Sequence, residues 1–387
     1  MNTPSMTSIL ATLSLLCFAC GNPSTNGTGL SDTDSGIENM DPDGAPPPEA
    51  NIRDIDILLM NDNSGSMMEE QMGLRLQLER MFEVLSSGDL DKDGTLDFRA
   101  LDSIRFGVVS SDMGAGGNTV TTCGNGDFGD DGVLQTLGDG SGCGISSARS
   151  FLTYTGDEPD TATQFATDAQ CMATLGLGGC GFEQQLESLL KALTPSTSPI
   201  RFAGDRVGNG DRANAGFLRE DSLLAIISLT DEDDCSSPES DELFDQNSAR
   251  YTGGLNLRCH EYQDALYPTS RYVDGLLALR DDPSRVLFAT IAGMPVDLVE
   301  GADTDYERLL NDERMQERVD PADPTSLVSV CNTADTGLAF PARRLISVAQ
   351  QLEERGANGI VQSICQLDYS LVIDEVLSRI SAQLPLD

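Results

Sequence analysis

Apolar residues along this chain fall into two alternating rhythms. Short, nearly continuous apolar runs at 55–60, 104–110, 223–230 and 285–291 have the length and density of strands buried on both faces. Elsewhere apolar residues recur at helical spacing. Leu74, Leu78, Met81, Phe82 and Leu85 do so within 68–85, and Phe182, Leu186, Leu189, Leu190 and Leu193 make a second apolar face. Helices over 342–355 and 369–384 close the chain, the latter carrying Val372, Val376, Ile380 and Leu384 on one side. Buried strands alternating with amphipathic helices predict an α/β fold, a doubly wound and mostly parallel sheet flanked by helices. Segments 111–179 and 236–283 break the rhythm and read as long insertions, the first glycine-rich and holding Cys123, Cys143 and Cys171.

The amino terminus follows different rules. Residues 9–19 form an apolar run too short to cross a bilayer as a helix, and it stops at Cys20. Residues 1–20 therefore read as an export signal. Ala19 before Cys20 resembles a bacterial lipoprotein cleavage site, which makes Cys20 the lipidated first residue, lodged in the cell envelope on the outer membrane or cell surface. An ordinary secretory signal is the alternative. Residues 21–51 lack aromatics and are rich in Pro, Gly, Ser, Thr and Asp, so they cannot bury enough surface to fold and read as a disordered tether. The globular part is 52–387.

Export changes the reading of the cysteines. Cys123, Cys143, Cys171, Cys180, Cys235, Cys259, Cys331 and Cys365 remain beyond the signal, an even set suited to disulfides in an oxidising compartment. Pairing sequence neighbours (123 with 143, 171 with 180, 235 with 259, 331 with 365) is the simplest of roughly 105 connectivities. No CxxC pair or cysteine–histidine spacing supports zinc.

Charge narrows the partners. Lys and Arg number 24 against 63 Asp and Glu, a formal charge of -39, which repels phosphate backbones and anionic lipid. Nucleic acid is thereby excluded, and membrane contact is left to the lipid anchor. His260 is the only histidine and no G-x-S-x-G elbow occurs, so a serine hydrolase lacks its parts. His260, beside Cys259, reads as a surface residue near a bridge, and the chain reads as no enzyme.

Two polar clusters leave apolar runs abruptly: Asp62-Asn63-Ser64-Gly65-Ser66-Met67 after the first, and Asp231-Glu232-Asp233-Asp234 after the third. In parallel sheets, ligands gather beyond the carboxyl ends of strands. The first cluster resembles the D-x-S-G-S-M motif of von Willebrand factor A domains. The helix that follows it and the strand ending in Thr230-Asp231 stand in matching order, over roughly 52–291. The resemblance implies a Rossmann-like fold with a metal-ion-dependent adhesion site, in which Asp62, Ser64, Ser66 and Asp231 surround Mg²⁺ or Ca²⁺. Mg²⁺ takes about six hard oxygens, and serine hydroxyls coordinate it without adding charge. Gly65 would let the loop fold tightly. The alternative is that Ser64 or Ser66 caps the next helix, which needs the same loop. Cys180 falls where the family has a ligating threonine, and a thiol is a poor ligand for Mg²⁺. Glu232 adds charge that favours Ca²⁺, while Asp233 and Asp234 read as a solvated loop.

A second cation loop, "DLDKDGTLDF" at 89–98, resembles the calcium loop of EF-hands. The resemblance gives Asp89, Asp91, Asp93, Thr95 and Asp97 ligand positions, Gly94 the sharp turn, and Leu96 an inward-packing role. Ala100 stands where the bidentate glutamate belongs, so the expected Ca²⁺ affinity is weak, of order 10⁻⁴ to 10⁻³ M. The expected function is divalent-cation-dependent binding of a protein or surface polymer. A Mg²⁺-dependent hydrolase, or a structural domain that cations only stabilise, are the alternatives.

Overall fold

The computed structural model describes residues 52–124, 126–136, 143, 150–156, 161–300, 304–333, 337–384 and 386. The expected signal and tether, Cys20 included, lie outside these residues. The strands are β1 (Asp54–Asn61), β2 (Ser103–Ser110), β3 (Leu152–Thr155), β4 (Leu223–Leu229), β5 (Val286–Ala292), β6 (Cys331–Thr333), β7 (Gly337–Ala339) and β8 (Asn358–Ser363). The helices are α1 (Met68–Ser87), α2 (Thr161–Met172), α3 (Gln185–Leu193), α4 (Ser240–Leu243), α5 (Arg258–Glu261), α6 (Ser270–Leu277), α7 (Tyr306–Asn311), α8 (Arg343–Glu354) and α9 (Ser370–Ser381).

Six strands form one sheet in the order β3-β2-β1-β4-β5-β8, and β6 pairs with β7 in a separate hairpin. Every neighbouring pair in the large sheet is parallel except β2 with β3. Alternate residues of β1 feed two cores. Ile55, Ile57 and Leu59 pack with Leu74, Leu78 and Phe82 of α1, Phe165 of α2 and Val372 of α9. Leu58 and Met60 pack on the other face with Leu186 of α3, Tyr272 of α6 and Leu345 of α8. Helices therefore cover both faces, which is why the strands read as unbroken apolar runs.

The outer elements depart from expectation. β3 and α2 lie inside the segment read as an insertion, because β3 is four residues long and α2, "TATQFATDAQCM", has few large apolar residues. α6, inside 236–283, is a core helix with Tyr272, Val273 and Leu276 buried against the sheet. β8, "NGIVQS", is too short and polar to stand out, yet it completes the sheet beside β5.

Among the described residues there are four disulfides, Cys123–Cys180, Cys143–Cys171, Cys235–Cys259 and Cys331–Cys365. The last two follow the neighbour rule. The first two do not, because loop 178–181 turns back onto residue 122, with the Gly181 amide 3.1 Å from the Thr122 carbonyl. That brings Cys180 to Cys123, while Cys143 joins the core against α2 and meets Cys171 there. Among the described residues no helix is long and apolar enough to cross a membrane.

Cys331–Cys365 ties β6 to the segment after β8 across 34 residues of sequence. By the loop-entropy argument, replacing both cysteines with alanine is expected to cost about 3–4 kcal/mol. A urea titration of the variant reads this directly.

Candidate metal centre

Strand order reverses at β1: the chain runs outward from it through β2 and β3 on one side, and through β4, β5 and β8 on the other. α1, after β1, covers one face, and α6, after β4, covers the opposite face. Loops leaving β1 and β4 therefore diverge and open a crevice between them. Register sets what enters it. Asn61 lies level with Ser110 on one side and Leu229 on the other, so Asp62, Ser111 and Thr230 leave three adjacent strands together.

Asp62 is the centre of this group and is fully buried. Its Oδ2 accepts from Thr230 Oγ1 at 2.6 Å, and its Oδ1 accepts from the Ser64 amide at 2.8 Å and Ser111 Oγ at 2.9 Å. Gln185 Nε2 in turn donates to Thr230 Oγ1 at 2.8 Å, and Gln71 Nε2 to the Asp62 carbonyl at 2.7 Å. Thr230, Ser111 and the Ser64 amide hold the carboxylate directly, and the two glutamines brace it through Thr230 and the Asp62 backbone.

The serine hydroxyls stand beside it. Ser64 Oγ and Ser66 Oγ are 3.3 Å apart. Neither caps α1, whose first flanking residue is Met67 and whose amino end carries no side-chain cap. The capping alternative is thus set aside: Ser64 instead hydrogen-bonds the Asp62 carboxylate and Ser66 that of Asp231. Gly65 contributes less than expected: its backbone is not left-handed, and a Cβ there would meet nothing. The glycine that matters is Gly179, whose amide donates to the Asn63 carbonyl at 2.8 Å and whose Cβ would collide with the Asn63 side chain.

Asp231 completes the expected set, 2 % exposed, with Oδ1 lacking any hydrogen-bond partner. Three further carboxylates that sequence reasoning did not place as ligands close around it: Glu70 from α1, Glu183 before α3, and Glu232. Burial raises the Asp62 carboxyl despite the hydroxyls and amide that oppose the rise. Burial, then Asp62 and Glu232, push Asp231 well above the usual carboxylate range. Burial and Asp62 hold Glu232 up to about 7, and its side chain hydrogen-bonds Glu183, itself raised well above normal by burial and the same neighbours. Burial lifts Glu70 to about 7. Carboxylates crowded this closely need protons or a cation. The donor set, two hydroxyls beside the carboxylates and an orphaned buried carboxylate oxygen, fits a hard divalent ion.

Cys180 is bonded to Cys123 and cannot ligate. Asp233 and Asp234 are not solvated. Asp233 accepts from the Arg344 amide at 2.9 Å, at the start of α8. Asp234 is 1 % exposed and accepts from the Leu186 amide at 2.9 Å and from the Arg344 guanidinium at 3.1 Å. Both neutralise helix amino termini, which draws them away from a cation. His260 sits beside the Cys235–Cys259 bridge, as expected, but is partly buried: its side chain is 24 % exposed and Nδ1 lies 3.7 Å from Glu317 Oε2. It lines a cleft of about 680 Å³ that also takes in Ser64, Ser66, Glu183 and Glu232.

The acidic loop forms separately, at the end of α1. Asp89, Asp91 and Asp97 each bring a carboxylate oxygen within 4.8 Å of the others. Asp93 is not part of this group, and its carboxylate accepts from the Thr95 amide at 2.7 Å. Gly94 makes the sharp turn at φ 88°, as expected. Leu96 does not pack inward and is 54 % exposed.

Thr230, Ser111, Gln185 and Glu183 complete the centre beyond the expected ligands. Thr230 was readable as the last residue of an apolar run, and Ser111 as the residue leaving the neighbouring strand. Glu183 carried no signal within its motif. Neither a family model nor any curated protein matches the chain.

Proposed function

We propose that the chain is an exported von Willebrand A-like protein that binds a protein or surface polymer through a divalent cation held by Asp62, Ser64, Ser66 and Asp231. The observation that carries this reading is a pair of serine hydroxyls, unused for capping and set against the buried Asp62 and Asp231, the latter keeping one oxygen with no partner. Their position at the point where strand order reverses supports it further, since open parallel sheets bind ligands there. The four disulfides support an oxidising, extracytoplasmic setting, in which Cys20 would carry the lipid anchor.

The test is calorimetric titration of Mg²⁺ and then Ca²⁺ into the full chain and into a Ser64→Ala, Ser66→Ala variant. A binding event present in the first and absent from the second is expected. Identical titrations would sink the reading. EDTA-sensitive capture of a partner would then separate adhesion from a cation that only stabilises the fold, and EDTA-sensitive turnover of a phosphoester would favour the hydrolase.

The acidic loop is proposed as a separate, weak Ca²⁺ site. Asp89→Asn with Asp91→Asn is expected to remove a Ca²⁺ event of order 10⁻⁴ to 10⁻³ M while leaving the tighter one intact. The same calorimetric titration, run with Ca²⁺ on that variant, checks it.

A further inference from the structure

The connection from α2 to α3 begins with a strap, residues 173–180, that follows the loop leaving β1. The Ala173 carbonyl accepts from Asn61 Nδ2 at 2.5 Å. The Gly176 carbonyl accepts at 3.0 Å from Gln71 Nε2, the same nitrogen that donates to the Asp62 carbonyl. The Gly179 amide donates to the Asn63 carbonyl at 2.8 Å. The strap thus reaches Asn61 and Asn63 directly and Asp62 through Gln71. Asn63 stands between Asp62 and Ser64, two of the four residues assigned to the cation.

Side chains do little to fix this strap. Gly176, Gly178 and Gly179 fall within it, and glycine loses more conformational freedom on ordering than any other residue. Covalent bonds fix its ends instead. Cys171, in the last turn of α2, is bonded to Cys143, and Cys180 is bonded to Cys123. Between these anchors the fit to the metal loop is close at one glycine only. A Cβ on Gly179 would lie 2.0 Å from Asn63 Oδ1 and 2.8 Å from the Asn63 carbonyl oxygen. The side-chain oxygen can turn away, but the carbonyl cannot move without its loop. A Cβ on Gly178 would meet nothing within 4 Å.

Mg²⁺ demands near-octahedral oxygens at about 2.0–2.1 Å, whereas Ca²⁺ accepts about six to eight in flexible arrangements at about 2.3–2.6 Å. A brace on the ligand loop therefore bears on Mg²⁺ more than on Ca²⁺. We propose that the strap determines which cation the rim takes. Resting on the cation reading of Asp62, Ser64, Ser66 and Asp231, the inference is that it holds loop 62–66 in the shape Mg²⁺ requires. Displacing it moves the rim toward Ca²⁺.

The test sets Gly179→Ala against Gly178→Ala, the same change one residue apart. Mg²⁺ and Ca²⁺ are each titrated calorimetrically into the full chain carrying Asp89→Asn and Asp91→Asn, so that the acidic loop takes no part. Gly178→Ala is expected to leave both constants as in this parent. Gly179→Ala is expected to weaken Mg²⁺ by about tenfold or more, the scale seen when a support of metal ligands is lost, and Ca²⁺ by less than about threefold. A Cys123→Ala, Cys180→Ala variant frees one end of the strap without adding an atom and should shift the ratio of the two constants the same way. A merely structural role would lower the melting midpoint and leave that ratio unmoved in the folded chain. An unchanged ratio in folded Gly179→Ala overturns the proposal and leaves the rim site standing. If Gly179→Ala does not fold, the bridge variant decides by the same ratio. A parent that binds no Mg²⁺ overturns the strap and the rim reading together, so the two failures are told apart.

Discussion

Replacing Asp56 with alanine is expected to destabilise the fold by about 3–5 kcal/mol, read as a lower urea midpoint at unchanged slope. Asp56 sits within β1 and is fully buried. Its carboxylate accepts from the Arg219 amide at 2.6 Å, Arg219 Nε at 2.8 Å and Ser222 Oγ at 2.6 Å. Arg280 extends the network, donating to Ser222 Oγ and to the Ser222 carbonyl, each at 2.9 Å. The alanine variant removes the acceptor and strands these donors where water enters poorly. Arg219 retains Asp54 at 3.1 Å and is 17 % exposed, which puts the expected loss toward the lower end. Asp56→Asn keeps the shape and an acceptor oxygen and should cost less than alanine. A loss below about 1 kcal/mol for alanine would show that the network contributes no more than a surface ion pair.

Asp56 also shows what the sequence hid. Its run, "DIDILLMN", reads as an apolar strand, and nothing in its periodicity says that the second aspartate is buried against an arginine 163 residues away. The central strands were legible because both faces are covered, so burial is written along every residue. β3 and β8 were not, because edge strands bury less and are short. The same division runs through the candidate site. Asp62, Ser64, Ser66 and Asp231 lie in two compact local motifs. Ser111 and Thr230 join them only through the register of β2, β1 and β4. Glu183 arrives on a loop held by the unexpected Cys123–Cys180 bridge. Asp233 and Asp234 looked solvated because a run of acids usually is; the amino ends of α3 and α8 that claim them are distant in sequence.

Asp231→Asn is expected to change stability in opposite directions depending on Mg²⁺. Burial and the charges of Asp62 and Glu232 raise the Asp231 carboxyl, so the folded chain holds its proton more tightly than the unfolded chain does. Stability contributed by this group therefore falls as pH rises from the ordinary carboxylate pKa toward the raised one. At neutral pH in EDTA its ionised form opposes folding, and the asparagine variant should be more stable by about 0.5–2 kcal/mol and melt higher. The cation reverses the order. With Mg²⁺ at a hundredfold above its Kd the wild-type chain gains about 2.7 kcal/mol. The variant loses the negative charge and one of the two oxygens, binds the ion far more weakly and should gain much less. Melting curves of both proteins, each in EDTA and in saturating Mg²⁺, give four midpoints whose ranking must cross. A variant that is less stable in both conditions would mean that Asp231 is an ordinary structural carboxylate. The crossing would tie the crowding of carboxylates at this rim to a cation, because only a bound ion turns their mutual repulsion into stability.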